Sequence, residues 1–225
     1  MAAETATLAA AGSDTHGDHD DHDDHDDAVI PAAALPRGRN IQVGATFLTG
    51  ATLMYFGGLF AIYLSERADH LRLQDALGDD QPWIPDSAQV ELTAPTMMAW
   101  TLLISIVTMQ WAVWSVKRND RRHALLAIGF QAVFAAALIN HHVFQWKQLG
   151  LVADESVAAV LIYAITGSFV VALIVALFAF AFAMFRALAG ASTQAHTDGL
   201  ASVAVYWYAL VGIYFVIWIL VFITK

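Results

Sequence analysis

Five apolar runs constrain this 225-residue chain more than any other feature of it. They extend over Ile41–Leu64, Ala94–Val116, Ala124–Trp146, Val157–Phe185 and Ala201–Ile223, and none contains Asp, Glu, Lys or Arg. Each reaches the ~20 residues that a helix needs to cross the hydrocarbon core. In lipid the backbone must satisfy its own hydrogen bonds, and a helix does so within one segment. The sequence therefore predicts an all-α, polytopic membrane bundle of five transmembrane helices. Only 14% of residues are charged, against roughly 25% in a soluble domain.

The formal charge of −9 belongs to one end. Residues 1–30 hold nine acids (Glu4, Asp14, Asp18, Asp20, Asp21, Asp23, Asp24, Asp26 and Asp27) and no Lys or Arg, while the rest of the chain is balanced. This division predicts a disordered acidic, His/Asp-rich tail over 1–36 and a membrane domain over 37–225, because the tail has too little apolar surface to offset its ordering entropy. His19, His22 and His25, each followed by acids, could chelate a divalent metal ion in a flexible chain. A solvated polyanion explains the same pattern. No basic patch points to nucleic acid, and without cysteine there is no thiolate metal site.

Five spans put the termini on opposite sides. Arg37, Arg39, Lys117, Arg118, Arg121, Arg122 and Arg186 fall on one side, and Arg67, Arg72, Lys147 and Lys225 on the other. The richer side is cytoplasmic by the positive-inside rule, so the N-terminus is expected inside and the C-terminus outside. The segment from Glu66 to Glu91 reads as an acidic outer loop. Trp111, Trp114 and Trp207 near the inner ends, and Trp146 near the outer end, suit interfacial belts.

Polar residues inside the spans are few and ordered. Gln131, Leu138, His142 and Gln145 share one face of the third span by spacing. Interhelical hydrogen bonding near the interface explains Gln131, His142 and Gln145 better than a ligand site, since one His with Gln makes a poor metal centre. Thr101, Ser105 and Thr108 line the second span. Thr46, Thr49, Gly50, Gly57 and Gly58 in the first, and Ser168, Ala172 and Ala176 in the fourth, form small-residue rows that allow close helix approach. His141 and His142 are adjacent on one helix, which does not suit bis-His haem ligation. The absence of intramembrane charge argues against a pump, exchanger or channel acting alone.

Several stretches carry a resemblance. "LMYFGGLFAIYLS" (53–65), "HVFQWKQL" (142–149), "YAITGS" (163–168) and "YWYALVGIYFVIW" (206–218) occur in the order of similar segments in the cytochrome c oxidase subunit III family. The short bacterial form of that family has five helices and the orientation deduced above. The resemblance implies a non-catalytic accessory subunit of a respiratory haem-copper oxidase that supports assembly and proton-coupled electron transport to oxygen. It implies packing on catalytic subunit I, with subunit II and membrane lipid as further partners, in a prokaryotic plasma membrane. No cofactor is expected on this chain; haem and copper belong to the partner subunits. Almost every ionisable position of the family pattern is neutral here. Its membrane Glu is Thr52, the Gln and Glu of the segment like 142–149 become His142 and Gln145, its two His fall on Phe169 and Ala172, and a His and Asp near the end become Tyr208 and Val211. Other readings are a metal-handling membrane protein using the tail, a subunit III-like partner of a nitric oxide reductase, and a stand-alone transporter. For metal conduction the spans offer mainly His141, His142, Met54, Met97, Met98 and Met109, which are not at one depth.

Overall fold

A computed structural model describes residues 37–78, 82–84, 91–150, 152, 156–188 and 194–224, apart from the side chains of 37–40, 187 and 194–197. The acidic tail with His19, His22 and His25, the Arg37 and Arg39 side chains, and Lys225 lie outside what is described. Five helices run α1 (Arg37–Leu77), α2 (Thr93–Lys117), α3 (Arg121–Leu149), α4 (Val157–Leu188) and α5 (Gln194–Ile217). A π-helical turn over Trp218–Ile223 continues α5. All five are long and apolar enough to cross a membrane.

α5 is the centre of the bundle. It packs against α1, α2 and α4, while α3 lies between α2 and α4, and α1 leans on α5 and α4. Half of the apolar stretch of α5 is buried (50%), against 17% for α1. Lipid tails are as apolar as the side chains, so these contacts rest on close packing and interhelical polar bonds rather than on escape from water. On α1, Thr49, Phe56 and Tyr63 are buried. Their spacing of seven places them on one stripe. The Phe56 ring meets Phe169 of α4 at 6.3 Å between centroids.

Local chemistry sets the α2–α3 turn. Asn119 takes φ 58°, a left-handed conformation that Asn tolerates better than most residues. The Asp120 N–H then reaches Ser115 O at 2.9 Å. The Asp120 carboxylate caps α3, accepting from the His123 backbone N–H at 3.2 Å and meeting His123 Nδ1 at 2.6 Å. Beside it the Arg118 guanidinium lies 3.8 Å from the centroid of the Trp114 ring. α3 ends at Gly150, whose φ of 63° closes the helix.

Three expectations are corrected. The acidic outer loop does not begin at Glu66, because α1 continues for 41 residues to Leu77. No Pro or Gly interrupts residues 66–77. The helix stops where Gly78, at φ 64°, donates its N–H to Gln74 O at 3.0 Å. Trp207 is not an interfacial anchor: it is fully buried, because it faces α2 and bonds there. Among the described residues no helix packs against Gly57 or Gly58. Both are exposed, and a Cβ added at either would meet nothing within 4 Å. They lie on the side of α1 turned away from α5.

Candidate functional site

The polar face of α3 is buried throughout: Gln131, His142 and Gln145 are 0%, 1% and 9% exposed. The structure brings each to a different neighbourhood.

Gln131 joins α3 to α2. Its Nε2 donates to Ser105 O at 2.6 Å and to Thr108 Oγ1 at 2.7 Å. Thr108 Oγ1 also donates to Ser105 O at 3.0 Å. From the other side, Trp207 Nε1 of α5 donates to Ser105 Oγ at 3.0 Å, and that hydroxyl donates to Leu102 O at 2.6 Å. Ser105 thus ties three helices at one depth. Its small side chain lets α5 approach closely enough for an indole to reach it. Gln131 Oε1 is buried with no hydrogen-bond partner.

Among the described residues His142 makes no interhelical hydrogen bond. Its Nδ1 donates to Leu138 O, one turn back on α3, at 2.9 Å, which fixes the proton on Nδ1. The ring packs on Phe169 of α4 at 5.3 Å and on Tyr214 of α5 at 5.9 Å. His141 meets it edge-on at 5.6 Å, and His141 Nε2 is buried without a partner. His142 and Phe169, two positions singled out by the resemblance, are thus in contact.

Gln145 lines a small pocket at the same end of the bundle, together with Glu91, Pro95, Gln148 and Phe222. The cavity volume is about 10 Å³, space for roughly one water. Thr52 donates to Leu48 O of its own helix at 2.8 Å, and its side chain also hydrogen-bonds Tyr206 of α5.

Sequence reasoning missed the polar bonds made by aromatic residues. Tyr214 donates to Pro95 O at 3.1 Å, and Trp218 Nε1 to Thr96 Oγ1 at 3.2 Å, both joining α5 to α2. Trp146 Nε1 donates to Thr166 Oγ1 at 2.9 Å between α3 and α4. Tyr55 and Ser168 hydroxyls meet at 2.8 Å between α1 and α4. At the end of α5, Tyr63 OH donates to Leu220 O at 3.4 Å and accepts from Trp83 Nε1 at 3.2 Å. One turn on, Arg67 donates to Thr224 Oγ1 at 2.9 Å. Tyr and Trp have an apolar body and a polar tip, and that tip was the available signal.

This arrangement is suited to holding helices together. Among the described residues there is no group of three or more His, Cys, Asp or Glu positioned to hold a metal ion.

Comparison with known proteins gives the same direction. The family profile described as cytochrome c oxidase subunit III matches residues 32–225. A cytochrome c oxidase subunit 3 from Thermostichus vulcanus is 28% identical over 178 residues, covering 78% of this chain and 81% of the relative. One from Corynebacterium diphtheriae is 26% identical over 196 residues, covering 85% and 90%. A probable cytochrome c oxidase subunit 3 from Nocardia farcinica is 26% identical over 179 residues, covering 78% and 83%. With a match that takes in all five spans and leaves out most of the acidic tail, the chain belongs to the cytochrome c oxidase subunit III family.

Proposed function

We propose that the chain is a non-catalytic accessory subunit of a prokaryotic respiratory haem-copper oxidase. In this reading it lies in the plasma membrane with its N-terminus cytoplasmic. It packs on catalytic subunit I, near subunit II, and those partners hold the haem and copper. Gln131, His142 and Gln145 are structural, and residues 1–36 form a separate, solvated tail.

The observation that supports this most is how unevenly the polar and small residues are used. The Ser105 node is committed to holding α2, α3 and α5 to one another. The outer side of α1 is left open, with Phe47 and Met54 75% and 81% exposed beside the bare Gly57 and Gly58. Bare glycines flanked by exposed apolar side chains suit a partner helix that approaches closely.

Purification of the full chain in mild detergent tests the reading. The expected result is co-purification with a large haem-bearing membrane subunit identified by mass spectrometry. A chain that runs alone from its native membranes, with no haem absorbance in any fraction containing it, overturns the reading.

A further inference from the structure

α1 is about twice as long as a bilayer core is thick. Its 41 residues span about 60 Å at roughly 1.5 Å per residue, against about 30 Å of hydrocarbon. The bonds at the end of α5 show where the excess lies. Tyr63 reaches Leu220 O, and Arg67 reaches Thr224 Oγ1, so α1 at Arg67 is level with the last turn of α5. Ala68–Leu77 therefore project about 15 Å beyond that level. His70 is covered on one side by Trp83, with ring centroids 5.4 Å apart.

Beside His70 the projection is open. Glu66, Asp69, Leu73 and Leu77 follow at spacings of three and four, which place them on one stripe. All four are exposed, Leu73 by 60% and Leu77 by 76%. Asp69 has a 3.2 Å pair with Arg72, but both are exposed, and such a pair is worth little and yields easily. The stripe thus presents two carboxylates followed by two leucines above the bilayer core.

We propose that this α1 face docks a basic, apolar-centred protein surface outside the bilayer. The charge selects the occupant. A second copy of the chain would set carboxylate against carboxylate. Acyl chains end below this level, and anionic headgroups are repelled by it. Lys or Arg on a partner's extramembrane domain would meet Glu66 and Asp69, while Leu73 and Leu77 enter its apolar centre. The proposal goes beyond the accessory-subunit reading and rests on it only for the existence of an assembly.

Photo-reactive residues placed at Leu73, at Leu77 and, as a control, at Met54 on the open membrane face test this in the full chain in its native membranes. Adducts are identified by mass spectrometry. Leu73 and Leu77 are expected to trap Lys/Arg-rich peptides of another chain. The yield should fall several-fold with Glu66→Lys plus Asp69→Lys, and at high salt, where the Debye length shrinks from about 10 Å at 0.1 M to about 3 Å at 1 M. The Met54 adduct should persist in that variant, which shows that it still inserts and assembles. Adducts only with lipid, with this chain or with a second copy overturn the proposal, as does a yield indifferent to salt and charge reversal. A Met54 protein adduct with none at Leu73 or Leu77 sinks the docking proposal alone. Protein adducts at none of the three positions sink the assembly reading as well.

Discussion

Trp207 on α5 donates its indole N–H to the Ser105 hydroxyl on α2 at 3.0 Å, and both residues are completely buried. Ser105→Ala leaves that N–H with no acceptor in a medium that offers no water. The expected loss is about 1–2 kcal/mol, read as a lower melting temperature in detergent. Combining Ser105→Ala with Trp207→Phe should cost less than the sum of the two single changes, because each removes the same bond. Strict additivity would show that the contact is not energetically coupled.

Gln131 gives a graded case. Gln131→Leu removes both bonds to α2 and, with them, the buried unpartnered Oε1. Its cost should be small, about 0.6 kcal/mol, the average for interhelical polar contacts in membranes. Gln131→Glu keeps the shape but brings an acid to membrane depth, where a charge costs on the order of 3 kcal/mol. Thermal stability should follow the order wild type, Leu, Glu. Glu equal to wild type would contradict the buried, dry placement.

His142→Phe should be milder than an interhelical bond would suggest. The lost bond runs to Leu138 on the same helix, and a phenyl ring keeps the contacts with Phe169 and Tyr214. The expected change is below about 1 kcal/mol, with oxygen consumption per assembled complex unchanged. Turnover reduced by orders of magnitude in a stable, assembled complex would identify His142 as a functional group instead.

Asp120 sets a pH dependence at the α2–α3 turn. The His123 backbone N–H, and then the His123 side chain, hold its carboxyl below the ordinary carboxylate range. A depressed folded value means that the cap's contribution is fully present above the unfolded value of about 3.9. It fades as pH falls through that value toward the lower folded one. Circular dichroism melts of the full chain between pH 6 and pH 3 should show this loss. Asp120→Asn, which caps without titrating, should flatten it. An identical slope in the variant would assign the effect to other acids.

Deleting residues 1–30 should leave membrane insertion and assembly intact, since these residues contain no apolar array and precede the first span. Loss of the complex at normal expression would give the tail a structural role.

The sequence by itself determined the five spans and the grouping of Gln131, His142 and Gln145 on one helical face. Both follow from composition and helical period, which are local properties. It did not reveal the length of α1, because hydropathy marks where a helix enters lipid and is silent on whether it continues into water. Glu66–Leu77 are ordinary helix formers, and only Gly78 ends the run. Nor could spacing say what each polar residue meets. Gln131 and His142 share a face, yet one bonds α2 and the other bonds its own turn, because the helices present different surfaces at the two depths. Trp207 looked like a belt residue by its place in the chain. Only the fold places α5 at the bundle centre and turns that indole toward Ser105. Partner choice depends on how the helices cross and at what depth, and those are set by the packing of all five together.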